Sequence, residues 1–296
     1  MEIIRVNKSN IGAFIDYCIA NRKNLDDTFL VDEELEKMKP DDEDPSFIAL
    51  EGGNVIGAVS MKLDPYLLRG NRARFRIFHC NPATPVVYKR LFSVIRPEMD
   101  KVEKVFLFLP ETALEAREQI AGLGFSIERY AYLLTRKDLP VGEVSLPEGY
   151  SFKEFVPGRD EKDYCRIRNI AFSGLAGSET PLTEEEAGKI AARNDYLTGG
   201  ILFLCKEGSP VGLVRVAREY YNGIHYALIG PIALLPSYQK KGLGRTLLRA
   251  GLQVGRKFGL GKAILSVNAE NEQAVHLYTS EGFETDECFI SYQYKI

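Results

Sequence analysis

Histidine is scarce in this chain, cysteine is odd in number, and net charge is almost absent; each shortage excludes a class of function. Of the three histidines, His79 and His276 are isolated, and no stretch has the spacing of metal ligands, so no metal is expected. The five cysteines (Cys18, Cys80, Cys165, Cys205, Cys288) include no CxxC pair, and three sit inside apolar or aromatic runs. That argues against a disulfide framework and for a reducing compartment. A net charge of −3 and a pI near 5.8 argue against nucleic acid and anionic membranes as partners. The longest apolar stretch, near 224–236, is too short and interrupted to span a bilayer. The opening "MEIIRVNKSN" has no basic region followed by an apolar run, so no signal peptide is expected and the expected location is cytoplasmic.

What is present is ordinary for a globular protein with a full core: 45% hydrophobic and 27% charged residues. A length of 296 residues fits one large domain or two. Acidic residues bunch at Asp26–Asp27, Asp32–Glu34, Asp41–Asp44 and Glu184–Glu186. Such runs read as solvated helix starts or loops, with a field that draws in a cationic substrate as the alternative.

Two similar halves emerge when 107–137 ("LFLPETALEAREQIAGLGFSIERYAYLLTRK") is laid on 265–296 without a gap, at an offset of 158. Each reads as an apolar strand, an amphipathic helix, a Gly-Phe turn (Gly124-Phe125, Gly282-Phe283) and a β-rich ending. A repeat of this size predicts two copies of one domain, over 1–140 and 148–296, joined by the Pro- and Gly-bearing stretch 138–152. In the second copy we expect a strand at 151–155 and a helix at 160–172 with Tyr164, Ile167, Ile170 and Ala171 on one face. A Gly- and Ser-rich loop (173–181) precedes a helix at 183–194 opened by Thr183. Three strands separated by Gly-Ser-Pro and Asn-Gly turns follow in 201–235, the last of them including 229–234, then a helix to about 258, a strand at 263–267 and a helix at 271–280. The expected class is α/β (α+β): a mostly antiparallel mixed sheet flanked by helices, ending in a strand–helix–strand crossover.

Between the strand at 229–234 and the next helix stands "QKKGLGRT" (239–246). A helix N-terminus points unpaired backbone N–H groups outward, and glycine lets a ligand approach them closely. Lys240, Lys241 and Arg245 add positive charge, a combination suited to a pyrophosphate. It is not a P-loop, because GxxxxGK[ST] is absent, nor a dinucleotide fingerprint, because no third glycine follows Gly244.

Together with "LSVNAENEQAVHLYTSEGF" the turn resembles the GCN5-related N-acetyltransferase (GNAT) family. Gln239, Gly242 and Gly244 meet its Q/R-x-x-G-x-G/A motif; Asn271, Ala274, Leu277, Tyr278, Gly282 and Phe283 meet its following N-x-x-A-x-x-L-Y-x-x-x-G-F element. The resemblance is specific over 228–285 and looser over the rest of the second half. It implies acetyl-CoA as co-substrate. Backbone groups of Ile232, Ala233 and Leu234 would pair with the pantetheine arm, and Lys240, Lys241, Gly242, Leu243, Gly244, Arg245 and Thr246 would cradle the pyrophosphate. Asn271 would help fix the pantetheine. Tyr278, two helical turns on, would protonate the departing thiolate. A backbone N–H near Leu234 would stabilise the oxyanion. Glu219 and His225 are both candidates for the base that neutralises the amine. No cysteine adjoins the motif, so direct amine attack is expected over an acyl-enzyme.

The first half departs from the pattern. Asn271 corresponds to Ala113, Tyr278 to Ile120, and no glycine occurs between Gly70 and Gly122. An arrangement of one degenerate and one intact copy is similar to that of mycothiol-synthase-like GNAT proteins. The implied reading is an acetyl-CoA-dependent N-acetyltransferase acting on a small-molecule or protein amine, active in the C-terminal copy. The expected state is a monomer whose two copies form an intramolecular pseudo-dimer. The alternative is a non-catalytic CoA-binding sensor or scaffold. Nucleotide-dependent phosphoryl transfer fails for want of the Walker lysine and a Mg²⁺-binding acid. The acceptor cleft would be built by loops such as 172–182, which do not spell out a ligand.

Overall fold

The computed structural model describes residues 1–40 and 44–296; Asp41, Asp42 and Glu43 of the third acidic run lie outside the described residues. In chain order the first elements are β1 (Glu2–Arg5), α1 (Ile11–Asn21), α2 (Asp32–Glu36), β2 (Ser46–Glu51), β3 (Asn54–Lys62), α3 (Pro65–Arg69), β4 (Arg72–Cys80), α4 (Pro85–Met99), β5 (Lys104–Pro110), α5 (Leu114–Gly122) and β6 (Ser126–Arg136). The second series is β7 (Tyr150–Glu154), α6 (Glu161–Phe172), α7 (Glu184–Gly188), β8 (Tyr196–Lys206), β9 (Ser209–Tyr221), β10 (Ile224–Leu234), α8 (Leu243–Lys257), β11 (Ala263–Asn268), α9 (Glu272–Ser280) and β12 (Phe283–Lys295). No described helix is long and apolar enough to cross a membrane.

The repeat is present as read. Gly124 and Gly282 both take the left-handed backbone (φ 94° and 87°) that reverses the chain between α5 and β6 and between α9 and β12. α4 and α8, each of 15 residues, also stand 158 positions apart.

The chain forms two compact units whose boundaries fall inside strands: Met1–Ala131 with Glu287–Ile296, and Tyr132–Asp286. In the first unit the strand order is β1-β2-β3-β4-β5-β12. There the end of β12 pairs antiparallel with β5 from Phe289↔Pro110 to Lys295↔Lys104. Ile290 and Tyr292 from that segment lie in the core with Tyr88, Leu91, Ile95 and Leu107. In the second unit the order is β6-β11-β10-β9-β8-β7, and Leu134 of β6 is fully buried beside Leu247, Leu248 and Leu265. Each unit is thus completed by a strand segment from the other half of the sequence.

The stretch 138–152 is not a free linker. Arg136 donates to the carbonyls of Leu139 (3.0 Å) and Pro140 (2.9 Å), Arg249 donates to the Glu143 carbonyl (3.1 Å), and Val141 and Leu146 pack on the second core. These contacts satisfy backbone acceptors that a loose linker would leave to water.

Three further expectations shift. The helix at 183–194 is only α7 followed by a 3₁₀ turn at Lys189–Ala192, although Thr183 and Glu186 do form the capping box. On α6, Tyr164 and Ile167 are buried and Ala171 packs on the same cluster, but Ile170 is 46% exposed. β10 starts at Ile224, directly after the expected Asn-Gly turn, and takes in the stretch 229–234. Asp26 and Asp44 are not solvated but pair with the arginines Arg74 and Arg76, whereas Asp32, Glu33 and Glu185 are exposed as read. All five cysteines are free thiols, four of them buried.

Candidate functional site

β10 is the element that shapes the site. It pairs parallel with β11 only at Ala227↔Ala263 and Leu228↔Ile264. Its antiparallel register against β9 then shifts between Ile229 and Ile232, two residues (Gly230, Pro231) bulging opposite Arg215. A bulge bends its strand, so β10 leaves β11 and opens a fork. Ile232, Ala233 and Leu234 keep their pairing with Val214, Leu213 and Gly212 on one edge, which leaves their other edge toward the fork.

The chain then makes a 3₁₀ turn (Pro236–Tyr238) and enters α8 through Lys240 and Gly242, both with left-handed backbone (φ 59° and 78°). No side chain caps α8 and its first turn holds no acid. The earliest backbone donors with acceptors are Arg245 and Thr246, which bond to the Gly242 carbonyl (3.0 and 3.3 Å). The N–H groups of Gly242, Leu243 and Gly244 therefore point out of a helix N-terminus unsatisfied by a cap, the arrangement that binds anions.

Several motif residues have jobs the sequence does not announce. Gln239 donates its amide to the Leu234 carbonyl (3.0 Å), tying the turn to the end of β10. Leu243 is buried, so only its backbone faces the cradle. Gly244 has ordinary helical φ, unlike Gly242; a Cβ there would sit 3.5 Å from Leu277 Cδ2, a normal contact. Arg245 is not a free cation: its Nε pairs with Glu281 (3.0 Å) and Nη2 donates to Ser280 Oγ (3.0 Å). Glu281 also takes a two-pronged contact from Arg249 (2.9 and 2.8 Å). Lys240 and Lys241 are exposed beside the cradle, the latter 5.5 Å from the Tyr238 ring.

Asn271 is the N-cap of α9, its Oδ1 accepting from Ala274 N (3.2 Å), which leaves its amide N–H groups for a ligand. Tyr278 lies two turns on, with its ring 5.9 Å from Phe283. Burial pushes its phenol up to about 12, so the hydroxyl holds its proton across the working pH range.

The two candidate bases lie on opposite faces of the sheet. Leu213 of β9 packs with Tyr164 and Ile167 of α6, whereas Val214 and Val216 pack with Leu247 and Leu248 of α8. Strand alternation carries Arg215, Ala217, Glu219 and Tyr221 on the α6 face. Tyr220 and its register partner His225 fall on the α8 face, rings 5.0 Å apart. Tyr221 donates its hydroxyl to Asp286 (2.6 Å), so Glu219 shares its face with a second carboxylate.

The α6 face is roofed by loop 173–183, which is held by side chains that sequence reading missed. Asn169 accepts from Leu182 N and donates to Leu182 O (both 2.8 Å), Arg168 donates to Thr180 O (2.7 Å), and Asn268 at the end of β11 donates to Ala176 O (2.9 Å). Asn268 and Ala176 are 92 positions apart, and no local signal links them. Below the loop Arg215 pairs with Asp195 (2.8 Å); although burial raises its pKa, Arg193 and Arg215 hold the Asp195 carboxyl below its ordinary range. No group of metal-ligating side chains occurs among the described residues.

The model of the "Acetyltransferase (GNAT) family" matches residues 166–283, from α6 to the Gly-Phe turn. A mycothiol acetyltransferase of Thermomonospora curvata is 29% identical over 62% of this chain and 60% of that protein. One of Streptomyces coelicolor is 32% identical over 60% of this chain and 57% of that protein. The chain therefore matches less than two thirds of either relative. Among solved structures, a GCN5-related N-acetyltransferase from Sphaerobacter thermophilus superposes with a TM-score of 0.75 at 17% identity, covering 99% of this chain and 95% of that one. A tandem GNAT protein from the clavulanic acid biosynthesis pathway gives 0.70 at 15% identity, covering 99% and 98%. At such identities the superpositions establish the fold alone. With the motif residues gathered at one helix N-terminus and one strand fork, residues 166–283 are a domain of the GNAT acetyltransferase family, in a chain that has the GNAT fold along its length.

Proposed function

We propose that the unit Tyr132–Asp286 transfers an acetyl group from acetyl-CoA to a primary amine by direct attack. The observation that carries this reading is the uncapped N-terminus of α8, opened by left-handed Gly242 in the turn that follows β10, the strand that parts from β11 after Leu228. The N–H groups of Gly242, Leu243 and Gly244, with Lys240 and Lys241, fit a pyrophosphate. The open edge of Ile232–Leu234 fits the amides of a pantetheine arm, assisted by the Asn271 amide. Acetyl-CoA supplies the activated thioester. The chain's own groups supply the proton transfers. Tyr278, kept neutral by burial, donates to the leaving sulfur, and Glu219 accepts the amine proton directly or through water. Between the two candidate bases, the reading takes Glu219, because it shares the α6 face with the roofing loop while His225 lies on the other face.

The first unit is assigned no acetyl-CoA, since Pro85 stands where the cradle has Leu243 and contributes no N–H. The name mycothiol acetyltransferase borne by the relatives favours a small-molecule acceptor. A thiol-release screen of the full chain with acetyl-CoA and a diverse amine panel tests the reading. Turnover lost in Gly244→Glu supports it. Tight CoA binding without turnover on any amine replaces it with a CoA-binding sensor.

A further inference from the structure

α8 and α9 carry the two ends of the proposed reaction. The N-terminus of α8 is the cradle for the pyrophosphate, and α9 carries Tyr278, whose hydroxyl has to meet the sulfur. The cofactor spans those two points with a limited reach, so proton transfer needs the helices held in one register. The helices pack closely: a Cβ on Gly244 would lie 3.5 Å from Leu277 Cδ2. Apolar contact is non-directional and does not by itself stop one helix sliding on the other.

Directional contacts between the two helices converge on Glu281, the C-cap residue of α9, whose side chain is only 7% exposed. Arg245 and Arg249 stand one turn apart on α8 and so reach the same carboxylate. Arg245 does so through Nε (3.0 Å), and Arg249 through two nitrogens (2.9 and 2.8 Å). Two-pronged guanidinium–carboxylate pairs fix geometry as well as charge. The backbone of Glu281 is held too. Its N–H donates to the Tyr278 carbonyl (3.0 Å), and its own carbonyl accepts from Arg136 Nε of β6 (2.7 Å). Glu281 therefore ties the turn that bears Tyr278 to the helix of the cradle on one side and to the sheet on the other. Arg245, which the motif offers to the pyrophosphate, is engaged in this tie through Nε and, on Ser280 Oγ, through Nη2.

We infer that Glu281 is a positioning residue for acetyl transfer: through Arg245 and Arg249 it holds Tyr278 in register with the cradle, so that the hydroxyl meets the departing sulfur. The inference rests on the acetyl-transfer reading above and adds to it a residue that acts through Tyr278.

The test is a double-mutant cycle of Glu281→Gln and Tyr278→Phe in the full chain, which isolates the coupling between the two. Thiol release from acetyl-CoA with the fastest amine of the panel gives kcat, and calorimetry with CoA gives affinity. Misplacing a reacting group by about 1 Å can cost about 10²-fold, and Glu281→Gln is expected to lower kcat about tenfold. CoA affinity should not fall, since a released Arg245 adds positive charge beside the cradle. In the Tyr278→Phe background the same substitution is expected to cost no further kcat, because no hydroxyl is left to position. Arg245→Gln, which leaves Glu281 paired with Arg249, is the second arm where Glu281→Gln does not fold, and should show the same non-additivity. Equal fold losses of kcat in both backgrounds overturn the inference and leave Glu281 as a stabilising pair. A loss of CoA affinity with kcat unchanged overturns it as well. A wild type that acetylates no amine, or a Tyr278→Phe variant with undiminished kcat, strikes the reading above first and this inference with it.

Discussion

Pro85 and Leu243 hold the same place, the first residue of a fifteen-residue helix 158 positions apart, and only Leu243 has a backbone N–H to offer. An anion at a helix N-terminus is held by such donors. Calorimetry with CoA should accordingly give one site per chain, in the second unit. Two equal sites would show that the first unit binds CoA without the cradle.

Gly244 separates ligand binding from folding. A Cβ there meets Leu277 at an ordinary 3.5 Å, so the backbone accepts a β-carbon at this position. Gly244→Glu should leave the thermal midpoint nearly unchanged while abolishing CoA binding, because it puts a carboxylate where the pyrophosphate would sit. Retained affinity in a folded variant would remove the cradle from α8.

Tyr278→Phe should lower kcat while leaving CoA affinity nearly unchanged. The hydroxyl is needed only as charge builds on sulfur, so its loss belongs to the transition state. General acids contribute about 10²–10⁴-fold, and a thiolate leaves fairly well unaided, so we expect the low end. An unaltered kcat would leave Tyr278 as the packing partner of Phe283.

In the first unit, burial pushes His79 from 6.5 down to about 4, while its Nδ1 lies 2.8 Å from the Tyr17 hydroxyl. A folded-state value below the unfolded one means that the unfolded chain binds the proton first. This contribution to stability is complete above about pH 6.5 and is lost as pH falls toward 4, by about 3 kcal/mol. Urea unfolding at pH 7 and pH 4.5 should show a smaller pH difference in His79→Asn than in the wild type. An equal difference in both would place the acid sensitivity elsewhere.

Ile290, near the C-terminus, is fully buried in the core of the first unit. Ile290→Ala should cost about 2–5 kcal/mol. The loss should appear as faster hydrogen exchange in β5, its strand partner, before it appears in β9 or β10. Loss confined to the second unit would contradict the strand assignment.

Much of the second unit was legible because its signals are local. The Gly-Phe turns need a left-handed residue at Gly124 and Gly282, the α8 N-terminus is written in adjacent residues, and the α7 capping box spans four. Ile170 was misread because the α6 stripe that meets the sheet is narrower than its apolar pattern, and the helix at 183–194 because α7 ends in a 3₁₀ turn.

The sequence by itself determined the repeat, the mixed α/β class, the family motif and the glycine-free stretch between Gly70 and Gly122 in the first half, since each depends on residue identity at fixed short spacing. Only the tertiary structure decided the rest. Strand exchange put Ile290 in the first unit and Leu134 in the second, and sheet pleat put Glu219 and His225 on opposite faces. Folding also brought Glu281 to Arg245, Asn268 to the roofing loop, and Asp44 to Arg76. Pairing between residues far apart in the chain is set by which surfaces close on each other, and neither propensity nor spacing records that.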